Sequence, residues 1–351
     1  MPSKTLIIRA DASPEIGVGH VMRCAALAQA WRSAGGTAIF ALATGAAELE
    51  GRIRSWQSHL VRIHVDPGSK EDAEQTNKLC QSQTAEWLCL DGYRFSVDYR
   101  ARLKSSGARL LLIDDHGDCP PYLCDMVLNA NPQASDAMYL PRGTQTQLLL
   151  GPRYALLRQE FLKLHRESVD VPYIARRILV TLGGADPHNV TLKVMQALHH
   201  LTEPRLEITT VVGAVNPHLE PIQTASAALP HVARVLSNVE NMPELISQSD
   251  LAITAGGGTC YELAFLRVPM FLITTAKNQE QTVGAFSQAN AAIAGGWFHS
   301  LTQSSLVAAL QSLIGDHNLR KNMIGNASQM VDGRGAERVV EVMRKTERNR
   351  G

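Results

Sequence analysis

Short apolar runs alternate with helical patterns along this chain, and the alternation starts over about halfway. Leu6-Ile7-Ile8 reads as a first strand, and His20 to Ser33 has helical spacing that stops at Gly35-Gly36. Thr37 to Leu42, Leu60 to Val65, Trp87 to Leu90, Leu110 to Ile113, Met126 to Leu128 and Leu148 to Leu150 are further strand candidates. Continuous apolar strands bounded by turns and separated by helices argue for a buried parallel sheet. The pattern then restarts. A connecting helix is expected from Tyr154 to Glu167, then strands at Arg177 to Leu182, Leu206 to Val212, Val232 to Val235, Leu251 to Thr254 and Met270 to Ile273. Helices are expected between them at Asn189 to Leu201, Met242 to Gln248 and Thr259 to Leu266. The expected fold class is α/β with two Rossmann-like domains, residues 1–171 and 172–335, followed by a C-terminal helix and tail over 336–351. The length of 351 residues suits two domains at roughly 150 residues each.

The charge balance narrows the partners. A formal net charge of +1 offers no global field to recruit nucleic acid or membrane, so neither is expected. The six cysteines, at 24, 80, 89, 119, 124 and 260, form no C-x-x-C pair and read as reduced thiols. The sequence enters a strand-like run directly after Met1-Pro2-Ser3-Lys4, without a signal-peptide pattern. No apolar stretch approaches the ~20 residues of a membrane span. The expectation is a cytoplasmic protein.

Ligands of open α/β sheets gather at the carboxyl ends of the strands, and four motifs fall there. Arg9-Ala10-Asp11-Ala12-Ser13 runs on through Gly17-Val18-Gly19-His20 after the first strand. Its glycines allow a tight turn and close approach to a ligand. His20 then opens a helix, where the positive end of the dipole disfavours imidazolium and leaves a ring able to act as a base. The competing reading is a histidine that merely starts a helix. Position 22 is Met, so this is not the dinucleotide fingerprint. Gly183-Gly184-Ala185-Asp186-Pro187 follows the first strand of the second half, and its glycine pair offers backbone N–H groups to a phosphate or forms a ligand-free loop.

The third motif is Thr254-Ala255-Gly256-Gly257-Gly258-Thr259-Cys260-Tyr261-Glu262. Bare amides at Gly257 and Gly258, with Thr259 at the expected N-cap, favour a diphosphate. Glu262 has two readings, a ribose contact or the return partner of a Thr-x-x-Glu capping box. The fourth is Lys277-Asn278-Gln279-Glu280-Gln281, where Asn278 and Gln279 suit sugar hydroxyls and phosphate oxygens, or else form a solvated loop. Asp114-Asp115-His116 suggests a metal only superficially, because no partner ligand has recognisable spacing. Tyr93 follows a strand and faces either the ligand end or its own surroundings.

Taken in order, these motifs resemble the UDP-2,4-diacetamido-2,4,6-trideoxy-β-L-altropyranose hydrolases of pseudaminic acid biosynthesis. The likeness rests on the Arg9 to His20 opening, the block Gly151-Pro152-Arg153-Tyr154-Ala155-Leu156-Leu157-Arg158-Gln159-Glu160-Phe161, Gly183 to Asp186, and Lys277 to Glu280. It covers roughly residues 5 to 290. The resemblance implies a GT-B-like fold, two Rossmann-like domains facing across a cleft, with UDP held mainly by the second. It also implies His20 as catalytic base, Tyr93 and Asn278 near the reacting sugar, and backbone around Val239 on the uracil. Thr259 and nearby amides would hold the diphosphate, and Glu262 the ribose. Asp11, Gly19, Gly183, Gly184 and Gln279 complete the expected substrate-binding set.

The function so implied is hydrolysis of a UDP-linked diacetamido-trideoxy sugar to UDP and free sugar, by C–O cleavage with anomeric inversion. No cofactor and no metal are expected, since no Asp-x-Asp motif is present for the diphosphate. Two alternatives stand beside it: a UDP-sugar-dependent GT-B glycosyltransferase, and a nucleotide-sugar binding protein without turnover.

Overall fold

The computed structural model describes residues 4–13, 17–45, 47–143, 145–214 and 216–348. The chain forms two compact units, one from residues 1–159 with 333–351 and the other from 160–332. No helix among the described residues is long and apolar enough to cross a membrane.

The first unit is built on a seven-stranded sheet. Its strands are β1 (Thr5–Ala10), β2 (Thr37–Leu42), β3 (His59–Arg62), β4 (Ala85–Asp91), β5 (Arg109–Ile113), β6 (Met126–Asn129) and β7 (Gln147–Leu150). They lie in the order β3-β2-β1-β4-β5-β6-β7, and every pairing is parallel. Helices α1 (Gly19–Ser33), α2 (Ala47–Ser55), α3 (Lys70–Ser82) and α4 (Val97–Leu103) connect them. The chain order reverses direction between β1 and β4, the kind of point at whose carboxyl ends doubly wound sheets generally bind ligands.

Strand periodicity of two sorts the core. Leu6, Ile8 and Ala10 of β1, with Trp87 and Cys89 of β4, face the layer that holds α1, whose Cys24, Ala25, Leu27 and Ala28 are buried with them. Ile7, Leu88 and Leu90 face the opposite layer with Ala73 of α3 and Tyr99 and Leu103 of α4. By the same alternation Asp91, the last residue of β4, comes out on the side of α1.

The second unit carries a six-stranded parallel sheet in the order β10-β9-β8-β11-β12-β13. Its strands are β8 (Arg177–Thr181), β9 (Glu207–Val212), β10 (Val232–Ser237), β11 (Leu251–Ala255), β12 (Met270–Thr274) and β13 (Ile293–Trp297). A four-residue helix α5 (Gln159–Leu162) precedes them. The remaining helices are α6 (Val190–His199), α7 (Leu219–Ala227), α8 (Met242–Ser247), α9 (Thr259–Phe265), α10 (Glu280–Gln288), α11 (Gln303–Gly315) and α12 (His317–Met330). Here the reversal falls between β8 and β11. The last helix, α13 (Gly335–Arg348), belongs to the first unit, where Val339, Val340 and Met343 join the core beside α1.

Two local expectations are corrected. No helix runs from Tyr154 to Glu167; a 3-10 turn at Pro152–Tyr154 and the short α5 stand there instead. Tyr154 and Leu156 pack on the α1 core while Ala155 and Leu157 are buried. Gln159 donates its backbone N–H to Gln29 Oε1 at 2.8 Å and its side-chain amide to Ser33 Oγ at 2.7 Å. Those contacts hold residues 154–159 against α1. The second correction adds β13, whose Ile-Ala-Gly-Gly-Trp sequence lacks the apolar run of a strand. Its Gly295 lies so near Phe271 that an added Cβ would meet the ring at 2.6 Å, so close approach and not apolarity selects the residue.

Candidate active site

In the first unit the chemistry collects at the reversal between β1 and β4. α1 starts at Gly19 with Val18 as its cap residue and no side chain bonded to the first amides. His20 is therefore in the first turn, 7% exposed, with Nδ1 2.6 Å from Asp91 Oδ1. Asp91 is fully buried at the end of β4. A carboxylate accepts only, so Nδ1 carries the hydrogen of this bond, and in the neutral ring Nε2 is the nitrogen with the lone pair. One helical turn later, Arg23 donates from Nε to Asp91 Oδ2 and from Nη2 to Asp91 Oδ1, both at 2.6 Å. Its Nη1 donates to Asp115 Oδ1 at 2.8 Å. Arg23 Nη2 also lies 3.3 Å from His20 Nδ1; both nitrogens are donors once Nδ1 is protonated, so that contact adds no hydrogen bond. Cys24 Sγ donates to Asp91 Oδ2 at 3.4 Å.

Burial pushes the Asp91 carboxyl up, but the charges of Arg23 and then His20 outweigh it and hold the group well below the usual carboxylate range. Asp115 behaves alike: burial raises it, and Arg23 brings it below its usual value. Asp91 is thus an ionised carboxylate that orients the His20 ring through Nδ1.

Tyr93 reaches the same cluster. Its ring meets His20 edge-on with centroids 4.9 Å apart and lies 5.3 Å from the His116 ring. Its hydroxyl donates to Asp115 Oδ2 at 3.1 Å. The ring itself is 54% exposed. Asp11, expected at the substrate, has its carboxylate engaged within the protein. Oδ2 accepts from Arg9 at 2.6 Å, and Oδ1 accepts the backbone N–H of Ala43 and Thr44 at 2.8 and 2.9 Å. It fixes the loop after β2 to the end of β1. Residues 14–16 of the same motif lie outside the described residues. Gly17 has a φ of +69°, and Cβ atoms added at Gly17 or Gly19 would meet nothing within 4 Å.

The residues that sequence reading missed are Asp91, Arg23 and the role of Asp115. Arg23 sits three residues after His20, a helical neighbour. Asp91 ends an apolar strand, the one polar residue after Trp-Leu-Cys-Leu. Both were visible signals, but only the register of β4 beside β1 brings them together.

In the second unit, two of the motifs meet. An added Cβ at Gly256 would lie 2.4 Å from Val283 Cγ2 and 3.1 Å from both Gln279 Cβ and the Gln279 carbonyl oxygen. The loop after β11 therefore touches the turn after β12 that carries Lys277 to Gln279. Cβ atoms at Gly257 and Gly258 would meet nothing within 4 Å, so those two present open backbone. The N-cap of α9 is Gly258, and Thr259 is the first helical residue. This corrects the expected N-cap, and it removes the capping box, because Glu262 is no longer three residues beyond the cap. Glu262 is half-buried on the first turn of α9. Asn278 is exposed on its turn, whereas Gln279 Oε1 accepts from the Thr275 amide at 2.9 Å and the Thr275 hydroxyl at 3.0 Å.

The Gly183-Gly184 loop follows β8, next to β11. Gly183 has a φ of +92°, and Gly184 lies against Gly213 at the end of β9. The helix that follows is closed to a phosphate at its start. Asp186 Oδ1 accepts from the Val190 amide at 2.8 Å, and its Oδ2 from the Thr191 amide and hydroxyl at 2.9 and 2.7 Å. Asn189 Oδ1 takes the Leu192 amide at 3.3 Å. Of the two glycine motifs, the one before α9 keeps its helix start uncapped by side chains. Val239 sits half-buried in the loop after β10, with β9 and β8 between it and β11.

With both sheets and both clusters established, comparison with known proteins places the chain. Residues 177–339 match the glycosyltransferase family 28 C-terminal domain. The chain is 27% identical over 282 residues to the UDP-2,4-diacetamido-2,4,6-trideoxy-β-L-altropyranose hydrolase of Campylobacter jejuni, covering 79% of this chain and 94% of that one. The resemblance expected from the motifs is therefore found. The chain is also 24% identical over 338 residues to the spore coat polysaccharide biosynthesis protein SpsG of Bacillus subtilis, with 96% of each chain covered. Among solved structures, MurG of Acinetobacter baumannii aligns with a TM-score of 0.68 at 16% identity, covering 98% of this chain and 100% of that one. The fold is GT-B-like, with two Rossmann-like domains.

Proposed function

We propose that this chain is an enzyme acting on a UDP-linked sugar, and specifically that it hydrolyses a UDP-diacetamido-trideoxy sugar to UDP and the free sugar. The observation that carries this reading is the His20–Asp91 pair, with Nδ1 held at 2.6 Å from a buried carboxylate and Nε2 left to take a proton. In this mechanism Nε2 deprotonates a water that attacks C1 from the face opposite UDP, so the sugar is released with inverted configuration. Asp91 stabilises the imidazolium as it forms. UDP departs against the amides at Gly257, Gly258 and Thr259, where donors are in place before charge develops. Glu262 binds the ribose, backbone near Val239 binds the uracil, and Asn278 and Tyr93 line the sugar. No metal and no cofactor enter the reaction, and the chain works in the cytoplasm. The likeness to the Campylobacter jejuni hydrolase over 94% of its length supports the substrate class.

A glycosyltransferase is the second reading, favoured by the family 28 match over residues 177–339. Incubation with a panel of UDP-sugars alone separates the two. A hydrolase releases UDP without acceptor, with a product anomer opposite to the substrate by NMR. In ¹⁸O-water the label enters the sugar C1 hydroxyl and not UDP. Label in UDP would mean attack at phosphorus and would overturn the C–O mechanism. Turnover that needs an added acceptor would make the chain a transferase.

A further inference from the structure

We infer that Asp115 is a positioning residue for the His20 base, acting through Arg23 and Tyr93 at once. The inference deepens the reading of His20 as base and rests on it. Asp115 follows β5, the strand next to β4, and its backbone carbonyl accepts from Asn131 Nδ2 at 3.2 Å. Its two carboxylate oxygens are divided between two partners. Oδ1 takes Arg23 Nη1 at 2.8 Å, and Oδ2 takes the Tyr93 hydroxyl at 3.1 Å. Both partners bear on the imidazole. Arg23 grips both oxygens of Asp91, the carboxylate that orients Nδ1. The Tyr93 ring closes on the edge of His20 with centroids 4.9 Å apart.

Two consequences follow from this placement. A lone Arg23 beside Asp91 would cancel the negative charge that stabilises the imidazolium. With Asp115 present the trio of Asp91, Arg23 and Asp115 carries a net negative charge behind the ring. Tyr93 follows a strand, and its ring also lies 5.3 Å from that of His116. The Asp115 bond fixes its hydroxyl, so its ring becomes a wall that limits rotation of His20 out of line with Asp91. The carboxylate oxygens of Asp115 bond Arg23 and Tyr93, so its part in the reaction runs through them.

The test uses the full-length protein and the variants Asp115→Asn, Asp115→Ala and Asp115→Glu, with two readouts. The first is steady-state turnover of the UDP-sugar that the wild type cleaves best. Asp115→Asn and Asp115→Ala should lower kcat by roughly 10- to 100-fold, a loss like that on removing the orienting partner of a metal-bound histidine. KM should change little, and Asp115→Glu should recover part of the rate. In a double-mutant cycle with Tyr93→Phe the losses should be less than additive, since both remove the same tie. The second readout needs no substrate. A proton in a short bond between imidazole and a buried carboxylate resonates far downfield in the ¹H NMR spectrum, and Asp91→Asn assigns it by its loss. That signal should broaden or vanish in Asp115→Asn and return in Asp115→Glu. If the wild type cleaves no UDP-sugar, the hydrolase reading fails while the NMR comparison still decides the role of Asp115. An unchanged signal with unchanged kcat, or a lowered melting temperature alone, would leave Asp115 a loop tie and overturn the inference. Should Asp115→Ala fail to fold, the nearly isosteric Asp115→Asn carries both measurements.

Discussion

A single carboxylate, Asp91, shows how burial and charge decide a residue's part. Its unfolded value is that of an ordinary aspartate, about 3.9. In the folded chain Arg23 and His20 hold it lower despite burial. The unfolded state therefore takes up the proton first as pH falls. Asp91 stabilises the fold above about pH 4, and that contribution is lost as pH drops further through the folded value. Asp91→Asn should flatten the acid limb of a stability-versus-pH curve measured by denaturant titration; an unaltered limb would show that other carboxylates govern acid unfolding. At the same scale, His20→Gln should keep the fold and the UDP affinity while turnover falls about 10²–10⁴-fold, the usual worth of a positioned acid–base group. Full activity in that variant would return His20 to a helix-start residue. Glu262→Ala should weaken UDP binding by about 1.5–3 kcal/mol, the range for hydrogen bonds involving a charged group. Titration calorimetry on folded protein checks it, and unaltered affinity would remove the ribose role.

Between elements, close backbone approach sets which loops can exist. A Cβ at Gly213 would lie 1.9 Å from the Gly184 carbonyl oxygen, a contact with backbone that a side-chain rotation cannot relieve. Gly213→Ala should therefore displace the Gly183-Gly184 loop and destabilise the second unit by about 1–3 kcal/mol, as overpacking does. Gly335 has the same role where α13 starts. There a Cβ would stand 2.1 Å from the Ala155 carbonyl oxygen, and Arg338 Nη1 donates to the Arg153 carbonyl at 2.8 Å. Residues 153–159 of the block that carries the family resemblance thus pack against α1 and the start of α13. Its specificity of sequence has a packing cause in addition to any functional one. Equal melting temperatures for wild type and Gly213→Ala would mean that the two loops separate without cost.

At the scale of the whole chain, the two units are unequal in how they are assembled. The second is one continuous stretch, 160–332, whereas the first needs residues 333–351 returned from the far end of the chain. Residues 160–332 expressed alone should fold and bind UDP, because the α9 loop, Glu262 and Val239 all lie within them. A fragment that folds by circular dichroism but binds no UDP would move nucleotide recognition elsewhere. Ending the chain at 332 should instead damage the first unit, stripping Val339, Val340 and Met343 from the core beside α1. Calorimetry should then show the transition of the first unit lowered and that of the second retained.

The sequence by itself determined the elements whose signals are local. Buried parallel strands announce themselves as apolar runs, because a strand covered on both faces has no polar side to show. The restart of the pattern gave two Rossmann-like domains, and glycine at strand ends marked the loops where the backbone is bare. His20 could be singled out at the helix start after Gly17-Val18-Gly19, and Tyr93 from its place just past a strand. Tertiary structure decided the rest. Tyr154 to Glu167 has helical spacing yet forms only the short α5, with residues 154–159 packed on α1, because packing outweighs a weak intrinsic preference. β13 is a strand because a glycine must fit beside Phe271. Asp91 reaches His20, and Asp11 turns to Arg9 and the loop after β2, through strand register and the alternation of faces. Those contacts join residues as many as 71 positions apart, a pairing that no local pattern encodes and that only the folded sheet creates.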